Sequence, residues 1–199
     1  MTVNIRGTTL TADTLFASAV TLIFIFDKSG GAQKGLCAAA FHEFGHLLCM
    51  AALSDIPSGI TFTPFGLKIT RSKPPPSYFA EAAEAAAGPA ANLLLAAALS
   101  VLNRFFGGLT EPVYINVLMA AFNLLPIEPL DGGSILRCLL RAHGWMLYAD
   151  RAVGIVTAVG SAALAAAGAA LLIKSGYNFT MLAVSFYLIV CLLSSDKRA

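Results

Sequence analysis

Long apolar runs separated by short polar or glycine-containing connectors dominate the chain. Gly35 to Leu53, Ala80 to Leu102, Val113 to Leu125 and Val153 to Ile173 read as membrane spans, with Leu15 to Phe26 and Tyr177 to Leu193 as two more. The yardstick is a hydrocarbon core of about 30 Å, which takes roughly 20 helical residues to cross. Leu15 to Phe26 is short by that measure, and the small residues Ser29 to Ala32 raise the alternative of a cleaved signal peptide. Against it, Arg6 is the only positive residue upstream, and losing this helix would strip a wall from the bundle. Between the second and third runs, Ile60 to Thr63 and Leu67 to Thr70 alternate apolar and polar around Pro64-Phe65-Gly66, the pattern of a short β-hairpin. Ser134 to Leu147 mixes Ile135, Leu139 and Met146 with Arg137 and Arg141, the pattern of an interfacial amphipathic helix. The expected fold is all-α integral membrane, with about six transmembrane helices and a short β-hairpin between the second and third, in a single membrane-embedded domain over residues 1–199.

Composition agrees. Of 199 residues, 57% are hydrophobic and 12% charged, and the mean hydropathy is +0.75. A soluble domain carries about 25% charged residues, so this chain cannot clothe a soluble surface. The net charge of +2 comes with no basic stripe interleaved with aromatics, which excludes a nucleic-acid partner. Basic residues also orient the chain. With a cytoplasmic amino terminus, nine of them (Arg6, Lys68, Arg71, Lys73, Arg137, Arg141, Arg151, Lys197, Arg198) lie inside, against four outside (Lys28, Lys34, Arg104, Lys174). Both termini are therefore expected in the cytoplasm, and Arg71 to Ser77 with its three prolines forms a stiff connector at the headgroups. The four cysteines, Cys37, Cys49, Cys138 and Cys191, sit in or near apolar helices as small fillers and make no disulfide framework.

Polar residues inside the apolar runs carry the chemistry. The second run contains His42-Glu43-Phe44-Gly45-His46, an H-E-x-x-H pattern. On a helix, His42 and His46 project from one face a turn apart, as two zinc ligands require, and Glu43 stands on the adjoining face as a candidate base. Three ionisable groups within five membrane residues each carry an insertion cost, which weighs against a purely structural role. Ala38, Ala39 and Gly45 let other helices approach closely. A catalytic zinc needs a third protein ligand and an open position. Asn123 to Gly133 offers two carboxylates, Glu128 and Asp131, in a segment broken by Pro126 and Pro129. Local chemistry favours Asp131, because Gly132-Gly133 immediately after it permits unusual backbone angles and close approach. Cys49, three residues after His46, is a remoter ligand candidate, and His143 reads as a surface group.

Taken together, His42, Glu43 and His46 in one apolar segment and Asn123, Pro126, Asp131 and Gly132 two spans later resemble the motifs of the site-2 protease family. The likeness runs from Gly35 to about Leu147, includes Thr63-Pro64-Phe65-Gly66, and is strongest to the branch that activates a membrane-tethered pro-sigma factor in spore formers. The resemblance implies a zinc-dependent metalloendopeptidase of the bacterial cytoplasmic membrane, with Zn2+ held by His42, His46 and Asp131. Relatives commonly add a CBS or a PDZ domain, and neither is expected within these 199 residues. The expected partners are the lipid bilayer and a membrane-spanning or membrane-tethered protein substrate.

In that reading Glu43 is the general base, and Asn123 positions the substrate or its oxyanion, unless it only satisfies a carbonyl freed by Pro126. A helical substrate hides its scissile carbonyls, so an extended conformation must be imposed on it. The hairpin, through Thr61, Thr63, Lys68 and Thr70, either adds a strand of substrate or merely caps the bundle. Asn92, after Gly88-Pro89-Ala90-Ala91, is a candidate for close helix packing or for substrate contact. Two rival classes remain open: a metal or proton transporter, which predicts paired broken helices where only one break is evident, and an inactive membrane-protein-binding relative, against which intact Glu43 argues.

Overall fold

The computed structural model describes residues 2–5, 8–53, 57–63, 66–71, 74–175, 185–186 and 188–189. Six helices and a four-stranded sheet are described: β1 Thr2–Ile5, β2 Thr8–Ala12, α1 Thr14–Phe26, α2 Gly31–Ala52, β3 Gly59–Thr63, β4 Gly66–Thr70, α3 Tyr78–Phe106, α4 Thr110–Asn123, α5 Asp131–Ala142 and α6 Met146–Ser175. Five of the expected spans correspond to α1, α2, α3, α4 and α6. The sixth, Tyr177 to Leu193, lies almost wholly outside the described residues, as do Pro64-Phe65 and Ser72-Lys73. Helices α2, α3 and α6 are long and apolar enough to cross a membrane. The 13 residues of α1 and 14 of α4 rise only about 20 Å each.

The chain divides into two compact units, Met1–Pro76 with Ala87–Ala121, and Ser77–Ala86 with Phe122–Ala199. In the first unit the sheet has strand order β1-β2-β3-β4. β2 pairs antiparallel with β1 and parallel with β3, and β3 pairs antiparallel with β4 in the register Thr61↔Lys68 and Thr63↔Gly66. The expected hairpin is present but is half of a larger sheet. β3 is an inner strand whose two edges are both used, and β4 is an outer one. Phe62 stacks on Phe16 at 5.6 Å between ring centres, which ties α1 to the sheet.

Helix α2 starts sharply. Gly30 takes a left-handed conformation (φ 70°), and the Asp27 carboxylate accepts hydrogen bonds from the N–H groups of Ala32 (2.8 Å) and Gln33 (3.1 Å), while Ser29 Oγ donates to it at 2.7 Å. These bonds, that of the Ser29 hydroxyl foremost, hold the Asp27 carboxyl below the ordinary carboxylate range despite some desolvation. Lys34 reaches from the first turn of α2 to Glu111 at 2.5 Å.

Exposure along the helices is the inverse of a soluble protein. Phe41, Phe44 and Leu48 make an exposed stripe on α2, and Leu94, Val101 and Phe105 another on α3, whereas Asn92, Asn116 and Thr157 are buried. Apolar outside and hydrogen-bonded polar inside is the arrangement a hydrocarbon solvent selects.

In the second unit the amphipathic helix runs from Asp131, three residues earlier than its pattern suggested, and ends at Ala142. Gly144, with φ 87°, turns the chain, so Met146 and Leu147 start α6 instead. Cys138 on α5 is buried, and its thiol is pushed up to about 11 by burial and by the charge of Glu81, so it stays protonated as the filler expected.

Candidate metal centre

Two backbones must meet closely before two imidazoles can meet a metal, and small residues permit it here. A Cβ added to Gly45 of α2 would fall 2.5 Å from the Ala87 carbonyl oxygen and 2.7 Å from Ala91 Cβ, so α2 and α3 touch nearly backbone to backbone. A Cβ added to Gly88 would fall into the His46 ring and 2.8 Å from His42 Nε2. Glycine at 88 is thus the floor on which both rings lie.

On that floor the Nε2 atoms of His42 and His46 converge to 3.2 Å, with the rings edge to face and their centres 4.8 Å apart. Two zinc–nitrogen bonds of about 2.0–2.1 Å at a tetrahedral angle would separate their nitrogens by about 3.3 Å, so the pair fits zinc. Behind the metal-facing edge, His42 Nδ1 lies 2.7 Å from Asn92 Oδ1. Asn92 Nδ2 donates to the Ala38 carbonyl (3.0 Å) and to Asn116 Oδ1 (2.8 Å), and Asn116 Nδ2 donates to the Pro112 carbonyl (2.9 Å). Asn92 is wholly buried, with both polar atoms of its amide engaged.

In the second unit, α4 ends at Asn123, and the chain turns back through bonds from Leu125 N to Phe122 O, Ile127 N to Leu125 O and Leu130 N to Ile127 O. The Glu128–Pro129 peptide is cis, and Glu128 N donates to the buried Thr157 hydroxyl of α6 at 3.0 Å. Asp131 is the first residue of α5, where the helix's positive end favours an anion. Gly132 and Gly133 follow inside the first helical turn, and neither has a positive φ. Their reason is space, not backbone angle: a Cβ at Gly132 would strike the Leu124 and Leu125 carbonyls, and one at Gly133 would come within 2.7 Å of Glu128 N. Glu128, the rival carboxylate, is ion-paired with Arg137, which also reaches Asp150 at 3.2 Å, and Arg141 meets Asp150 at 2.8 Å.

His42 and His46 each offer a ligand nitrogen in the first unit, and Asp131 offers a carboxylate in the second; among the described residues no candidate metal group includes Glu128 or Cys49. Glu43 is half-buried on α2, and Asn123 is half-buried at the end of α4. Thr61 and Thr63 are half-buried on β3, Thr70 is exposed on β4, and the Lys68 side chain lies outside what is described. His143 caps α5, its Nδ1 2.8 Å from the Leu139 carbonyl, as a surface group does. Sequence reasoning missed Asn116, Thr157 and Glu84, the last buried on α3 one turn before Gly88. Each is a polar residue within an apolar run, the same signal that singled out Asn92.

Residues 108–167 match the model of peptidase family M50. The Rip3 protein of Mycobacterium tuberculosis, described as a zinc metalloprotease, is 32% identical over 130 residues, covering 58% of this chain and 32% of its own length. The sll0528 protein of Synechocystis, described likewise, is 31% identical over 127 residues, covering 59% and 32%. The chain thus spans about a third of the length of these curated relatives. In fold, the site-2 protease of Methanocaldococcus jannaschii superposes with a TM-score of 0.67 at 20% identity, covering 98% of this chain and 94% of that one. The likenesses are therefore to peptidase family M50 over residues 108–167, to zinc metalloproteases over part of their length, and to the site-2 protease in fold.

Proposed function

We propose that the chain is an intramembrane zinc metalloprotease that hydrolyses peptide bonds of membrane-spanning or membrane-tethered proteins. The observation that carries this reading is the convergence of His42 and His46 Nε2 at 3.2 Å on a helix apolar enough to lie in lipid. His42, His46 and Asp131 would hold the ion, and Zn2+, when bound, acts as a Lewis acid that lowers the pKa of water toward about 7 and polarises the scissile carbonyl. Glu43 leaves α2 about 100° around from His42, takes the proton of the attacking water and passes it to the leaving amine. Asn123 donates to the substrate carbonyl as charge builds on its oxygen.

Substrate is held extended along β4. β3 lies between β2 and β4, so a substrate strand has only an outer strand to join, and the backbone of Lys68 and Thr70 provides it. Thr61 and Thr63 can meet substrate only through their side chains. The likeness to the sporulation branch, and within it to stage IV sporulation protein FB, points to a pro-sigma factor as substrate class. The comparisons do not favour a metal or proton transporter. Within a single metalloprotease domain, the excess of basic residues on one side supports cytoplasmic termini in a bacterial cytoplasmic membrane.

The decisive experiment compares wild type with Glu43→Gln on co-expressed single-span and pro-sigma substrates. Zinc content should be unchanged and cleavage should fall by about 100- to 10,000-fold, the loss expected for a general base. Wild-type cleavage by the variant, or a wild-type protein that takes up no zinc, would defeat the proposal. For topology, an impermeant thiol reagent should label a cysteine placed at Thr110 from outside the cell but not one at Ser77, and the reverse pattern would turn the chain over.

A further inference from the structure

We infer that Asn92, braced by Asn116, is a positioning residue that locks His42 in the tautomer with its proton on Nδ1, leaving the Nε2 lone pair ready for a metal before any metal arrives. The inference rests on the reading of His42 as a ligand, but its argument comes from hydrogen-bond polarity alone. A backbone carbonyl can only accept. The Asn92 atom 3.0 Å from Ala38 O must therefore be the amide nitrogen, which turns Oδ1 toward His42. The far end of the chain of bonds gives the same answer independently. Pro112 O can only accept, so the Asn116 atom facing it is nitrogen, and the Asn116 atom facing Asn92 is oxygen. That oxygen again demands the nitrogen of Asn92. Both anchors leave an amide oxygen 2.7 Å from His42 Nδ1, and an amide oxygen requires a donor there.

A neutral imidazole has one proton, so Nε2 is left bare, and it is Nε2 that converges on His46 at 3.2 Å. All five residues are drawn from α2, α3 and α4, and Asn92 is wholly buried, so neither water nor an outside ligand competes for its bonds. Asn92 thereby fixes the ring's rotation as well as its tautomer, by a neutral amide in place of the carboxylate that often backs a metal-binding histidine. Its burial and full engagement leave no polar atom for substrate, the other role its position suggested.

The test uses the full chain in detergent with 15N-labelled histidine. With only three histidines, the signals can be assigned by substitution. In the metal-free wild type, His42 should show a protonated Nδ1 and a pyridine-like Nε2, and a His42 protonated on Nε2 would overturn the inference. Zinc affinity, measured by chelator competition, should fall about 10- to 100-fold in Asn92→Leu, the range for lost outer-shell partners. Asn92→Gln, which keeps an amide with the same oxygen and nitrogen ends, should recover part of that loss and the Nδ1–H tautomer. Asn92→Leu with wild-type affinity and an unchanged tautomer would overturn the inference, as would a folded Asn92→Gln whose His42 is protonated on Nε2. If the wild type takes up no zinc, the protease reading fails, while the tautomer measurement still decides the role of Asn92.

Discussion

Alanine at Gly88 is the smallest change that should empty the proposed metal centre. The added methyl would sit within the His46 ring, 2.6 Å from its Cε1 and 2.8 Å from His42 Nε2, where ordinary contact begins at 3.4 Å. The α3 backbone is pinned by Gly45 against Ala87 and Ala91, so the rings must yield. Reaching ordinary contact requires a shift of about 1.1 Å at His46 Nε2 and about 0.6 Å at His42, whereas metal sites hold their bond lengths within about 0.2 Å. A ring can swing away cheaply, and swinging away is what removes it as a ligand. Zinc affinity of Gly88→Ala should therefore fall by on the order of 100-fold or more, at the upper end of or beyond the loss for outer-shell changes. Chelator competition measures it, and helix content by circular dichroism should stay near wild type. Gly154→Ala on α6 is the matched control, since its Cβ would meet nothing within 4 Å and alanine is the better helix former. Full zinc affinity in Gly88→Ala would show either that the rings do not lie on α3 or that they are not ligands.

Two further outcomes separate the carboxylates and test the helix cap. Asp131→Ala should lose most bound zinc by metal analysis, and Glu128→Ala should keep it, because Glu128 is already committed to Arg137; the opposite result would exchange their roles. Asp27 has a folded-state pKa below its unfolded value, so it stabilises α2 at pH above 3.8 and loses that effect as pH falls through the depressed value. Asp27→Ala should thus lower the melting temperature at neutral pH and converge with wild type in acid; a constant gap across the range would contradict the cap.

The separate pieces of the candidate centre were legible from local pattern because each follows from a short stretch of chain. Histidines at i and i+4 share a helix face whatever the fold, and α2 carries His42 and His46 as that rule requires. The hairpin strands were likewise readable from alternation, and β3 and β4 begin within one residue of the expected positions. What the pattern could not supply is pairing. Thr2–Ile5 and Thr8–Ala12 are too polar to stand out as strands, and the parallel match of Thr9 to Gly59 and Thr11 to Thr61 joins that pair to the hairpin. Without that match β3 looks like a free edge.

The glycines show the same limit more sharply. Gly132-Gly133 admits two readings from sequence, backbone angle and close approach, and the structure uses the second, for the room left to Leu124, Leu125 and Glu128. Space is a property of two segments at once. So is the tautomer of His42, decided by Asn92 fifty residues away and, through it, by Asn116 another 24 on. An isolated amide in an apolar run announces that it must have a partner, because hydrocarbon offers none. Which partner, and with which of its two ends, is fixed by acceptor-only carbonyls on the neighbouring helices. The polar residues of a membrane site are therefore individually conspicuous in sequence, and their division into ligands, base and positioning groups emerges only when the helices that carry them are set side by side.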